Sequence, residues 1–337
     1  MAPQTSRKPR YFKKIALLII GLAISAGSLF YVFADVSAER LLASAARISP
    51  WSLVLSIVLY WGGLVVLRTA LVRSILSAGD GPLTFRRAYR CICIGFLANN
   101  VLPFRIGDVT RGMAVARAGQ MPFSRVLGGM ALERMLDFFM AALIAFGAIM
   151  TVPAVPDRIQ TTAIIAAIVL GVGFLLLMVL ARLRHEEAAS GGLWAWLWNL
   201  WVRFSSGFRI MSSLRGVLIF LALGLALWGF GVASMVARLA SFDLPATVPA
   251  SLLVFACLGF AVALPSAPGY VGVYQMAVAV ALSAIGVEKE VAAAFGLYSW
   301  VVDMAVGNVA GAISMSLEGM TIGDLRRAGE RLASEGQ

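Results

Sequence analysis

Apolar residues in this chain come in long runs rather than in narrow stripes. Six runs are long enough to cross about 30 Å of hydrocarbon as helices: residues 15–34, 51–72, 126–150, 161–181, 216–237 and 292–317. Three shorter pieces, 91–103, 249–264 and 268–285, are bounded by prolines or polar residues. The pattern predicts an all-α polytopic membrane protein with about six spanning helices and two broken, re-entrant or short, helix hairpins. Residues 1–14 form a basic N-terminal segment, 15–318 the membrane domain, and 319–337 a polar tail.

The basic residues orient these runs. If 91–103 enters and leaves the bilayer on one side, 21 Lys/Arg lie in segments on the side of the termini and five lie opposite: Arg40, Arg47, Arg158, Arg238 and Lys289. If it spans, the split becomes 12 against 14. The positive-inside rule prefers the first arrangement, with both termini cytoplasmic in a bacterial inner membrane. The pair 249–285 changes no parity whether it dips or spans twice, so charge leaves both readings open. Arg7, Lys8, Arg10, Lys13 and Lys14 precede the first run, which exceeds the ~7–15-residue core of a cleaved signal, so an uncleaved span is expected.

The sharpest polar interruption is "NNVLPFRIGDVTR", Asn99 to Arg111, directly after an apolar stretch. It shares L-P-x-x-x-G-x-V with "LPSAPGYV", Leu264 to Val271. Downstream of each break an acid lies inside a run: Asp137, 30 residues after Gly107, and Asp303, 34 residues after Gly269. Both sit 11 residues into their runs, about 16 Å deep at 1.5 Å per residue. The halves, about 15–150 and 161–317, each read span, span, broken hairpin, span. Three spans is an odd number, so the second half is expected to be inverted relative to the first. Inverted repeats with discontinuous helices form a transporter architecture, and paired Gly/Pro interruptions point to its site. Pro103, Gly107, Pro265, Pro268 and Gly269 are the candidate helix breakers.

Broken backbone at membrane depth needs protein or a water-filled cavity to satisfy its N–H and C=O groups. Helix N-termini after the breaks favour an anion, with Arg105 and Arg111 beside them as mobile positive charge. Asn99 and Asn100 suit either a cap or a ligand contact. Glu133, Arg134 and Asp137 share one span, where each charge costs about 2.5–3.5 kcal/mol on insertion scales. Glu133 and Asp137 share a face, and Arg134 can pair with Asp137 at i,i+3. Two roles fit: an ion pair locking the bundle, or the wall of a polar cavity. Asp303 has no charged neighbour on its run, with Asn308 the nearest polar residue of note. It is open to pairing with Arg134, Arg68 or Arg105, or to carrying a proton. Tyr270 and Tyr274, at i,i+4 after the second break, could line the opening together with Gln275, or pack against a neighbour. Substrate contact is therefore sought at Asn100, Arg105, Asp108, Arg111, Glu133, Arg134, Asp137, Tyr270, Tyr274 and Asp303.

Composition narrows the classes further. Hydrophobic residues make up 60% of the 337 and charged residues 13%, well below the soluble norm of about 25%. The net charge of +11 lies in short loops beside apolar runs, which suits anionic headgroups and disfavours nucleic acid. Cys91, Cys93 and Cys257 sit in apolar surroundings and form neither a disulfide framework nor a metal site. "LWAWLWNLWVRF" (193–204) reads as an interfacial helix on the cytoplasmic face. His185, the only histidine, lies in a charged loop and is read as a solvated side chain.

"NNVLPFRIGDVTR", "ERMLD" and "ALPSAPGYVGVYQMAVAVAL", in that order, resemble the bacterial flippase-like family, the transmembrane domain of lysylphosphatidylglycerol synthases. The resemblance covers about residues 10–320. It implies a membrane domain that moves phospholipid between leaflets. It carries the broken-helix motifs to Asn100, Pro103, Arg105, Gly107, Asp108, Arg111, Pro265, Pro268, Gly269 and Tyr270, and the polar span to Glu133, Arg134 and Asp137. No soluble aminoacyltransferase part is expected here, so the lipid is left open.

The function expected is a flippase or scramblase for an anionic phospholipid or another phosphate-bearing lipid. A small-solute or ion transporter on the same architecture is the alternative. A lipid-modifying enzyme is the weaker reading, because no H-E-x-x-H occurs and outer acids are sparse. No G-x-x-x-x-G-K-[ST] occurs, so no nucleotide, cofactor or metal is expected. Partners would be membrane phospholipid or lipid-linked phosphate, a separate lipid-modifying enzyme, or a second copy. "GGLVVL" (62–67) and "GNVAGAI" (307–313) could pack helices within one chain or between two.

Overall fold

The computed structural model describes residues 8–34, 36–46, 48–77, 83–102, 106–151, 192–263 and 266–319. It also describes scattered positions between 161 and 179, and residues 321 and 323. Among the described residues every regular element is helical. They are α1 (Lys8–Phe33), α2 (Ala38–Ala46), α3 (Pro50–Ser77), α4 (Phe85–Val101), α5 (Ile106–Ala118) and α6 (Phe123–Thr151). Then follow α7 (Leu193–Ser205), α8 (Leu214–Ser241), α9 (Val248–Ala263), α10 (Val273–Ser283) and α11 (Lys289–Leu317). The helical positions between 161 and 179 agree with the fourth expected span. α3, α8 and α11 are long and apolar enough to cross a membrane. The chain is an all-α polytopic membrane protein, and Trp51, Val54, Leu55, Val58, Leu218, Leu225, Val309 and Ile313 expose apolar side chains.

Local chemistry sets the helix ends. Pro50 occupies the first turn of α3, where a missing N–H costs nothing. Thr84 caps α4 and Ser213 caps α8, each accepting from the backbone N–H three residues on. The α4 cap sits seven residues before the apolar stretch at Cys91, so that helix has 17 residues rather than a short apolar plug. Its partner α5 is the helix expected after the polar break. It is a 13-residue helix packed along α4.

Glycine permits that close packing. A Cβ built on Gly95 would stand 2.7 Å from Arg111 Cβ, and one on Gly107 would overlap Asn99 N and Gly95 O. The second pair, α9 and α10, is joined through a 3₁₀ turn at Pro268–Tyr270, where Gly269 has φ +71° and Tyr270 +59°. Gly272, at φ +88°, starts α10, and its N–H is held by Gln275 Oε1 at 2.8 Å. Tyr270 therefore precedes the helix that carries Tyr274, and the two do not share a helical face as expected. α1 braces this turn, with Ser25 Oγ accepting from Ala267 N at 2.9 Å.

α3 and α8 cross antiparallel through small residues. Ser49 N meets Ser241 O, Ser234 Oγ donates to Ser56 O at 2.8 Å, and Gly63 lies against Leu227 and Phe230. Around this pair the two halves exchange partners, α4 packing on α11 and α9 on α6. Gly307 and Gly311 bring α11 onto Asn100, Leu97 and Cys93 of α4, so both glycine motifs pack within the chain. One apolar core joins the C-terminal part of α3 to α4, α5, α6 and the start of α8, with Leu71, Ile92, Leu136 and Phe220 fully buried. The other joins α1, the end of α8, α9, α10 and α11, around Val32, Leu239, Val254, Val278 and Phe295.

Two features escaped the hydrophobic pattern. α2 is a short amphipathic helix in what reads as a loop. Gly62–Leu67 is a π-helical segment within α3, and such segments are frequent at functional sites.

Candidate functional site

The two breaks meet. Asn100, at the end of α4, donates from Nδ2 to Asn308 Oδ1 on α11 at 2.9 Å, and its carbonyl lies against Gly269. A Cβ on Gly269 would be 3.6 Å from Asn100 O. Trp300 Nε1 fixes the second turn by donating to Gly269 O at 2.6 Å. Pro268 opens that turn and is exposed. Pro103, Arg105 and Pro265 lie outside the described residues, as does His185.

From this junction a charged chain runs into the first half. Asn99 Nδ2 donates to Asp108 Oδ1 at 3.1 Å, and Arg134 Nη2 reaches the same oxygen at 3.2 Å. Arg134 Nη1 touches Asp137 Oδ2 at 3.4 Å. Arg68 grips Asp137 with both terminal nitrogens, at 3.0 and 3.1 Å, and Glu133 Oε1 at 2.6 Å. Arg111 closes the chain with a two-pronged contact to Glu133 at 3.0 and 3.1 Å. Three arginines face three acids, so the cluster carries no formal charge.

It is graded from dry to wet. Glu133 is 1% exposed, Arg111 3% and Arg68 9%, whereas Asp108 is 35% and Arg134 43% exposed. A cavity of about 10 Å³ beside Arg111 and Glu133 is at the lower limit for one water. Arg111 is thus a buried, neutralised group rather than the mobile charge expected from sequence. Glu133 is thus the buried centre of this network and Arg134 its exposed end.

The second half repeats the device in smaller form. Asp303 pairs with Arg238, Nη2 to Oδ1 at 2.6 Å, and among the described residues not with Arg68 or Arg134. Arg238 is 1% exposed, which moves it from an outer loop, where the run boundary at 237 placed it, to the interior end of α8. Its guanidinium stacks on Tyr60 of α3 at 4.7 Å and donates from Nη1 to Ser299 O at 3.3 Å. Tyr274 is buried and donates its hydroxyl to Asp303 Oδ2 at 2.7 Å. In both halves an arginine of one long helix meets an acid 65 residues later, Arg68 with Glu133 and Arg238 with Asp303. Asp137 and Asp303 each stand 14 residues beyond the start of a 29-residue helix.

Sequence reasoning undervalued Arg68 and Arg238 and missed Tyr60 and Trp300. Arg68 was visible as a charge inside an apolar run, which marks a buried functional group in a membrane protein. Among the described residues no group of three metal-binding side chains occurs, and the three cysteines are free thiols.

No curated protein and no solved structure matches the chain. The family model described as the lysylphosphatidylglycerol synthase TM region does, over residues 18–311, and the chain belongs to that family.

Proposed function

We propose that the chain moves a phosphate-bearing membrane lipid between leaflets, without altering it covalently, along the open face of the first charged cluster. The observation that carries this reading is Arg134. It is a guanidinium within a long apolar helix, almost half exposed, and among the described residues its ion pairs are contacts of 3.2 and 3.4 Å. A phosphate can displace such weak pairing and gain two parallel hydrogen bonds from the planar fork. The deeper pairs, Arg68 and Arg111 on Glu133, hold the cluster in place while the lipid tails remain in hydrocarbon.

The surrounding architecture supports the same reading. The hairpins α4–α5 and α9–α10 are taken as re-entrant, meeting at Asn100 and Gly269, with the second half inverted. The antiparallel α3–α8 crossing and the exchanged pairing of the halves favour that arrangement. With Arg111 and Arg238 in interior pairs, the basic residues divide 20 against four rather than 21 against five. That division supports cytoplasmic termini in a bacterial inner membrane.

The test is headgroup accessibility in vesicles holding the purified protein, with labelled phosphatidylglycerol, phosphatidylethanolamine and a polyprenyl phosphate. Arg134→Gln is expected to slow movement of the phosphate-bearing cargo at least tenfold, with the fold retained. An unchanged rate would remove Arg134 from the path. Uptake of a soluble anion without lipid movement would assign the cluster to a solute, and covalent turnover of the lipid would assign it to an enzyme.

A further inference from the structure

The pair Arg238–Asp303 is more than the mirror of a structural lock. Arg238 is nine-tenths buried, and its Nε has no hydrogen-bond partner. Nη2 and Asp303 Oδ1 lie 2.6 Å apart without the alignment of a hydrogen bond. A guanidinium offers a planar row of donors that matches two oxygens of a carboxylate or phosphate. Here the carboxylate takes one end of the row and leaves Nε without a partner. The remaining surroundings suit an anion: the Tyr60 ring on one face, the Tyr274 hydroxyl as a second donor, and Asp303, at 12% exposed, as the less buried member of the pair.

We infer that Arg238 is a second phosphate station, occupied in this conformation by Asp303, and that the anion's arrival there drives Asp303 to take up one proton. This rests on the lipid-transport reading above. The charge balance requires the proton. One guanidinium cannot neutralise both a phosphate monoanion and a carboxylate, and an unpaired carboxylate in an apolar interior neutralises itself by protonation. The step is H⁺ plus Asp303 carboxylate giving the carboxylic acid, with the phosphate oxygens taking over Arg238 Nη2 and Nε.

The groups facing Asp303 are Arg238 of α8, Tyr274 of α10 and Tyr60 of α3, whose hydroxyl faces the carboxylate directly while its ring lies under Arg238. None of them is a second carboxylate, so one proton per anion is expected. The first cluster has no equivalent release, because its three acids are shared among three arginines. The two halves therefore differ in chemistry: one receives the phosphate by weak pairing, and the other receives it by exchange.

The experiment measures movement of acyl-labelled phosphatidylglycerol in vesicles buffered from mildly acid to mildly alkaline, with a parallel arm for uptake of inorganic phosphate. The wild type is expected to speed up as pH falls, by up to about tenfold per pH unit for a one-proton step. Asp303→Asn, which mimics the protonated acid, is expected to move lipid at the wild type's acid rate whatever the pH. Arg238→Gln/Asp303→Asn strands no charge and so should fold, yet its rate is expected to fall at least tenfold. A wild-type rate independent of pH would overturn the proposal. So would an Asp303→Asn variant that keeps the wild-type pH profile, or a double variant that keeps the wild-type rate. A wild type that moves no lipid and takes up no phosphate defeats the transport reading itself. Phosphate uptake with the same Asp303 dependence keeps the station and replaces the lipid by the free anion.

Discussion

Replacing Glu133 by Gln isolates the charge at the centre of the first cluster. The Glu133 carboxylate is 1% exposed and accepts from Arg68 at 2.6 Å and from Arg111 at 3.0 and 3.1 Å. Glutamine preserves the volume, but it supplies no charge and turns an NH₂ toward one of the guanidinium groups. Arg68 keeps Asp137 through two hydrogen bonds. Arg111, 3% exposed, keeps no other ion-pair partner among the described residues. The cost is therefore that of stranding one buried cation, about 3–5 kcal/mol. Asp137→Asn should cost less, about 1.5–3 kcal/mol, because Arg68 retains Glu133 and the site borders water. Arg111→Met/Glu133→Gln removes both charges of the dry pair. It should recover most of the single-variant loss, since apolar replacements of buried pairs are often neutral. The assay is the unfolding free energy of the purified protein in micelles for all four forms. Glu133→Gln within about 0.5 kcal/mol of wild type would refute the reasoning, as would a double variant no more stable than the single one.

Two further substitutions probe the hairpins. Gly107→Ala should destabilise by about 1–3 kcal/mol or separate α4 from α5, because its Cβ meets Asn99 N and Gly95 O with no room to yield; thermal melting, with cysteine cross-linking across the two arms, reads both. Gly269→Ala has space, with Met304 Sδ 3.5 Å away, so its cost should be conformational, about 1–2 kcal/mol from φ +71°. A loss above that range would show that the turn is constrained by more than its backbone.

The long helices were legible because apolar runs in a membrane protein report length directly. The run 51–72 became Pro50–Ser77 and 292–317 became Lys289–Leu317, each extended by polar turns that water or neighbours satisfy. The break marked where α5 begins but not its length, since a helix packed against protein inside a membrane domain need not be apolar on every side, and Asp108, Arg111 and Arg117 interrupt any apolar run. The site was half legible. Asp108, Arg134 and Asp137 stood out as polar groups inside or beside apolar runs, and they do meet. Which charge pairs with which was not, because each central pair joins positions 65 residues apart, beyond the reach of helical spacing. A boundary drawn one residue early was enough to send Arg238 to the wrong surface.

The 65-residue gap also sets a timetable for making the protein. Arg68 enters the membrane on α3 before Glu133 and Asp137 exist, and α3 on its own carries a charge that costs about 2.5–3.5 kcal/mol at the bilayer centre. At about 5–20 residues per second, the ribosome takes roughly 3–13 seconds to supply the partner. During that interval Arg68 must lie at the interface or inside the insertion machinery. α6, with Glu133 and Asp137 facing Arg68, then inserts as the partner of a helix already waiting. Arg238 and Asp303 repeat the delay in the second half. Each half is thus assembled in an order that its own charges impose: the cation first, and the acid that admits it to the membrane second.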